Sequence, residues 1–139
     1  MNADCNRHFK TNNARWVKVA PDSYGLNQPQ SFWIHNGLEM IGCVRTSGKV
    51  KNNLRYTVQD HSDDNQIKLL SQTGNEIELD IGTLSKQMRL AFCVTGASCQ
   101  GQEYDKLAIW DLKSAKMTRR LLYVLLSRAK DGQHLWAHG

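Results

Sequence analysis

The sequence predicts a mixed, β-rich fold: a small β-barrel or meander, then part of an α/β layer. Three observations predict it. Between Ser31 and Ile81 the chain reads as short β-rich runs separated by turn signals, with no helical pattern between them. From Leu90 onward the text changes to continuous apolar runs, Leu90–Thr95 and Leu107–Trp110, of the kind covered on both faces of a sheet. Between the second run and the C-terminus lies one convincing helical pattern.

The elements follow in order. Residues 1–30 are rich in Asn, Gln and Asp, hold both prolines (Pro21 and Pro29), and read as loop apart from the alternating Arg15-Trp16-Val17-Lys18-Val19. Phe32-Trp33-Ile34 runs into His35-Asn36-Gly37, an Asn-Gly turn signal that accepts positive φ. Leu38–Arg45 is the next strand, followed by a turn at Thr46-Ser47-Gly48, the alternating Leu54–Gln59, and a break at His61–Asn65. Ile67–Leu70 and Glu76–Ile81 flank Thr73-Gly74-Asn75. Barrels of the SH3 type are built on this scale. Beyond the strand at Leu90–Thr95 come small polar residues, then the strand at Leu107–Trp110. A helix over Ala115–Ser127 places Met117, Leu121, Leu122, Leu125 and Leu126 at helical spacing, and Tyr123 and Val124 make it apolar nearly all round, so deep packing is expected. His134–Ala137 is a last strand. The expected division is residues 1–30, a β insertion over 31–87, and an α/β part over 88–139.

Composition narrows the class. At 40% hydrophobic and 22% charged the chain can bury a core and does not resemble a disordered segment. No run approaches the roughly 18 apolar residues of a membrane span, and the polar Met1–His8 is no signal peptide. A formal charge of +5 is compatible with nucleic acid without requiring it. Cys5, Cys43, Cys93 and Cys99 form no C-x-x-C pair, so free thiols in a reducing intracellular compartment are expected. Cys93 and Cys99 with His134 and His138 are read as no zinc site: the cysteine gap is long and the histidines sit near the chain end.

Two segments carry chemistry. In Val94–Asp105, small residues around Gly101 leave backbone amides open to phosphate oxygens, and Thr95, Ser98 and Gln100 add neutral donors. An ordinary turn between two core strands is the plainer reading. In Arg119–Lys130, Arg128 follows a packed helical segment, and its permanently charged planar fork suits the charge spread over a transferring phosphoryl group. A cation complementing a helix C-terminus is the plainer reading there.

Together the segments resemble the end of superfamily 1 helicases, the RecD-like and Pif-like branch. In that family a strand runs into Thr-x-His-Lys-Ser-Gln-Gly, and a later helix carries Leu-Tyr-Val-Ala-Leu-(Ser/Thr)-Arg. The matches are Thr95, Gln100 and Gly101, then Leu122, Tyr123, Val124, Leu126, Ser127 and Arg128. The family also places an SH3-like insertion before the first block, opened by an Asn-Gly-x-x-Gly-x-Val signature that Asn36–Val44 resembles with one or two extra residues. The resemblance implies a RecA-like second motor domain. Arg128 would reach the γ-phosphate, Gln100 and Gly101 would couple nucleotide to strand, Glu103 would lie near the nucleotide sugar, and Thr95, with Ser98 beside it, would touch the single-strand backbone. Tyr123 is read as packing.

The departures carry weight. The family's His-Lys-Ser is Ala97-Ser98-Cys99 here, and no Gly-x-x-x-x-Gly-Lys-(Ser/Thr) occurs; Thr46-Ser47-Gly48-Lys49-Val50 lacks the first glycine and the final hydroxyl. No acidic pair after a hydrophobic strand offers a magnesium site. ATP and Mg²⁺ are therefore expected only together with a first motor domain, in cis or in trans, and none in the isolated chain. The expected polymer is single-stranded DNA, with RNA as the alternative. Two competing classes are a non-catalytic single-strand-binding module using Arg45, Lys49, Lys51 and Arg55 beside Trp33 and Tyr56, for which a solvated surface over two core aromatics is the equally good plain reading, and a scaffold retaining a degenerate helicase tail.

Overall fold

The computed structural model describes residues 2–19, 30–44, 48–99 and 101–139. The chain divides into two compact units, Met1–Cys93 and Val94–Gly139.

In the first unit, β1 (Arg15–Val17) pairs antiparallel with β2 (Phe32–Ile34), setting Trp16 opposite Trp33. A separate five-stranded antiparallel sheet follows: β3 (Glu39–Gly42), β4 (Arg55–Asp60), β5 (Gln66–Ser71), β6 (Glu76–Asp80) and, after helix α2 (Ile81–Gln87), β7 (Met88–Leu90), in the spatial order β6-β5-β4-β3-β7. Alternation supplies its core. Tyr56 and Val58 of β4 and Ile67 and Leu69 of β5 point inward against Leu38, Met40, Leu84 and Met88, all buried. The strands expected between Phe32 and Ile81 are thus present. The barrel is not closed: among the described residues β6 and β7 pair only with β5 and β3. Helix α2 spans between these two edges and packs Leu84 and Ile81 into the core there. Asp80 caps it, its carboxylate accepting the Thr83 N–H at 2.8 Å, and hydrogen bonding from the Thr83 side chain and then its backbone holds the Asp80 carboxyl below its ordinary pKa.

The expected N-terminal loop contains a helix, α1 (Asn2–Phe9). Its sequence hid it because asparagine is a poor helix former and no apolar stripe is present. What holds it is a pair of amides one turn apart. Asn6, buried, donates to the Trp33 carbonyl at 2.8 Å and accepts the Trp33 N–H at 2.6 Å. Asn2 does the same to Cys93, donating at 2.8 Å and accepting at 2.6 Å. Each side chain stands in for a strand neighbour, satisfying both groups of one backbone residue. Asn6→Ala strips two partners from buried groups and is expected to cost about 2–4 kcal/mol of stability in a urea melt. A loss near zero would show that α1 is not bound by this amide. The Pro21 and Pro29 loop and Arg45-Thr46-Ser47 lie outside the described residues.

The first unit departs from expectation at its end. Leu90 ends β7, and residues 91–93 bend, so the strand expected over Leu90–Thr95 is not formed. The backbone of Cys93 is taken by Asn2 and therefore has none left for a ladder. In the second unit, β8 (Leu107–Ile109) pairs in parallel with β9 (Leu135–Ala137), joined through helix α3 (Arg119–Leu126) in a strand–helix–strand unit. Only Ile109 of β8 is buried, so the expectation of a fully covered strand is also corrected. α3 begins four residues later than its apolar pattern, because the Thr118 hydroxyl accepts the Leu121 N–H at 3.1 Å and fixes the start there. Its packing is one-sided. Leu121 and Leu125 join Cys99, Ile109 and Leu135 in a second core, whereas Tyr123 is 74% exposed and Leu126 41%. Tyr123, expected to pack, occupies the face turned away from that core. No helix of the described residues is long and apolar enough to cross a membrane.

Candidate functional site

The two segments singled out in the sequence meet in the second unit. After Thr95 the chain makes a 3-10 turn over Gly96–Cys99, and this turn packs directly on α3: a Cβ on Gly96 would come within 2.7 Å of Leu121 Cδ1. Cys99 is buried in the same core as Leu125. At its far end the loop returns to α3, where the Tyr104 N–H donates to the Arg128 carbonyl at 2.8 Å and the Lys130 N–H to the Tyr104 carbonyl at 3.0 Å. The loop is therefore fastened at both ends to the helix whose end carries Arg128.

Within it, the Thr95 and Ser98 hydroxyls lie 3.0 Å apart, and the Ser98 N–H donates to the Thr95 carbonyl at 2.9 Å. Thr95 is exposed, so closing the turn leaves its hydroxyl reachable. Gly101 sits at φ +78°, a left-handed backbone that favours glycine. Glu103 is exposed. Gln100 lies outside the described residues.

Arg128 is half-buried. Its Nε donates to the Val124 carbonyl at 3.3 Å and its Nη2 to Ser127 Oγ at 3.1 Å. Both partners belong to the end of its own helix, as the helix-capping reading requires. Among the described residues Arg128 makes no ion pair. A guanidinium has five N–H donors, and these bonds occupy its Nε and part of Nη2, leaving the fork available for an oxyanion. Lys130 is committed elsewhere: it donates to Asp105 at 2.9 Å, which holds the Asp105 carboxyl below and the Lys130 ammonium above their ordinary values.

The other predicted cations belong to the first unit. Arg55 pairs with Glu39 at 3.0 Å, Lys49 donates weakly to the Glu78 carbonyl at 3.4 Å, and Lys51 is exposed. Arg45 lies outside the described residues. Tyr56 cannot stack on a base. It is 2% exposed, and its hydroxyl accepts the Lys51 N–H at 2.9 Å. The fold also brings Lys10 and Trp16 to Trp33, neither of which any motif marks as a site; the Trp16-Val17-Lys18 alternation, with Val17 inward, is the signal that points Trp16 outward.

No family model and no curated protein matches the chain. Solved structures do. A structure described as the basis for DNA unwinding at forked dsDNA by two coordinating Pif1 helicases matches at TM-score 0.72 and 21% identity over 99% of this chain and 35% of that one. Bacteroides Pif1 bound to ssDNA matches at TM-score 0.69 and 19% identity, over 99% of this chain and 37% of its own. Pif1 helicase from Candida albicans matches at 0.57 and 14%, over 98% and 41%. The chain spans little more than a third of the first two. It has the fold of that part of Pif1 helicase structures, in agreement with the resemblance its C-terminal motifs carry.

Proposed function

We propose that this chain is the C-terminal part of the second motor domain of a superfamily 1, Pif-like DNA helicase, and that it supplies one wall of an ATP site completed by a first motor domain. The five-stranded sheet is then the SH3-like insertion, and the strand–helix–strand unit is the end of the RecA-like domain. The observation that carries the reading is the Arg128 guanidinium, fixed on the end of α3 by Val124 and Ser127, beside the Thr95–Glu103 loop and in no ion pair among the described residues.

The residues fit one side of a nucleotide and not both. Arg128 offers a rigid cation to the terminal phosphate, where charge on the equatorial oxygens must be balanced. Gln100 and Gly101 couple the nucleotide to the strand, Glu103 faces the sugar, and the Thr95 and Ser98 hydroxyls donate to a single-strand phosphate. Among the described residues no three His, Cys, Asp or Glu stand together as a metal site. On this reading, because the sequence has no Gly-x-x-x-x-Gly-Lys-(Ser/Thr), the phosphate cradle and Mg²⁺ would come from the partner domain and neutralise the β- and γ-phosphates.

The test is reconstitution. A first motor domain carrying a phosphate-binding loop, fused ahead of this chain or added to it, is expected to hydrolyse ATP with stimulation by single-stranded DNA, while each part alone does not. Equal hydrolysis with and without this chain would contradict the reading.

A further inference from the structure

The nucleic-acid face expected on the five-stranded sheet loses its aromatics, because Tyr56 is buried and Trp33 lies in the other sheet. The two-stranded sheet has what that face lacks. Trp16 and Trp33 are directly opposed across β1 and β2, with ring centroids 5.2 Å apart. The Lys10 ammonium, at the end of α1, lies 4.0 Å from the centre of the Trp33 ring. Trp16 is 49% exposed although its strand neighbour Val17 is 5% exposed, so the indole stands on the outer face of the strand. Lys18, two residues on and exposed, shares that face. Arg15, which alternates to the opposite face, is paired with Asp64.

From this we infer a single-strand stacking platform: Trp16 presents an open indole to a nucleobase, Trp33 packs beside it from the neighbouring strand, and Lys10 and Lys18 meet the flanking phosphates. The chemistry favours a nucleic acid over a protein partner on two grounds. An aromatic face flanked by ammonium groups complements a polymer that alternates flat bases with anions, and stacking accepts any base. A protein-binding patch would be expected to carry fewer lysines at its centre. Trp33 is already held in place in the free chain, since Asn6 pins its backbone to α1 through two hydrogen bonds. The platform shares its single-strand partner with the reading above but uses none of the chemistry at Arg128.

Binding of a fluorescein-labelled oligo(dT) of about 16 nucleotides, the upper end of a small single-strand site, tests it on the full chain by anisotropy. Trp16→Leu, which keeps an apolar cross-strand contact with Trp33, is expected to weaken binding about tenfold, and Trp16→Phe much less. Lys10→Ala should reduce the slope of log affinity against log salt by about 0.7, the increment for one single-strand phosphate contact. Indole emission should be quenched on binding in the parent and less so in Trp16→Leu. Circular dichroism confirms that each variant is folded. No binding, or Trp16→Leu binding as tightly as the parent, would overturn the platform. So would a Trp16→Leu chain that binds oligonucleotide normally but no longer associates with a first motor domain, which would make this a protein interface. ATP hydrolysis by the assembled motor and oligo(dT) affinity of the chain are separate readouts, so failure of the motor reading and failure of the platform are read separately.

Discussion

Arg128→Ala is expected to lower the kcat of ATP hydrolysis by the assembled motor about a thousandfold or more, with little effect on folding. The magnitude is that of a guanidinium placed at a transferring phosphoryl group, where it acts on charge that develops during the reaction. The small effect on stability follows from what Arg128 does in the free chain, where it bonds only the Val124 carbonyl and the Ser127 hydroxyl at a helix end. Losing a cation there costs about 0.3–1 kcal/mol. Arg128→Lys should recover the helix-end contribution and little of the rate, because an ammonium lacks the planar fork. Steady-state ATPase assays with single-stranded DNA, paired with thermal melts, separate the two. A rate loss that merely tracks the loss of folded protein would reduce Arg128 to a helix cap.

Gly42→Ala is expected to destabilise the first unit by about 3 kcal/mol or more. A Cβ at Gly42 would sit 2.1 Å from the Lys51 carbonyl oxygen and 2.8 Å from Val50 Cγ1. The Lys51 backbone cannot retreat cheaply, because its N–H donates to the buried Tyr56 hydroxyl at 2.9 Å. The following residues are also tied to this glycine: Gly42 N–H donates to the Leu54 carbonyl at 2.9 Å and Asn53 N–H to the Gly42 carbonyl at 2.9 Å. Tyr56→Phe, which removes only the hydroxyl, should cost about 1 kcal/mol. Chemical denaturation of the two variants checks the order, and a Gly42→Ala chain as stable as the parent would show that the 50–54 segment moves freely.

The first of these sites was legible in the sequence, and so was the glycine of the second. The Asn36–Val44 signature includes Gly42, and the structure shows why no side chain fits there. Strands with period-2 patterns, such as Arg55–Asp60 and Gln66–Ser71, declared themselves, because alternation in a half-buried sheet is written into residue order. The helix at Asn2–Phe9 did not. Its stability comes from two amide side chains that find backbone partners at Trp33 and Cys93, far along the chain, and no local pattern encodes that. The same long-range bond explains the failed strand at Leu90–Thr95, whose apolar run was genuine but whose backbone was already engaged at Cys93. Tyr123, expected to pack, is exposed, and of the two readings open for Tyr56 the fold takes the buried one, because an aromatic residue's type does not fix which face it occupies. The Thr95–Glu103 loop and Arg128 were found from motif spacing. Their attachment through Tyr104 and Arg128 backbone bonds required the fold.

On the proposed reading the Arg128 guanidinium meets a nucleotide's terminal phosphate. Its most direct test is the affinity of the assembled motor for ADP with aluminium fluoride, a mimic of the transferring phosphoryl group, compared with ADP alone. Arg128→Ala should lose at least about a hundredfold of affinity for the mimic while holding ADP as the parent does, since only the mimic carries charge at the terminal position. A variant that binds both as tightly as the parent would contradict it.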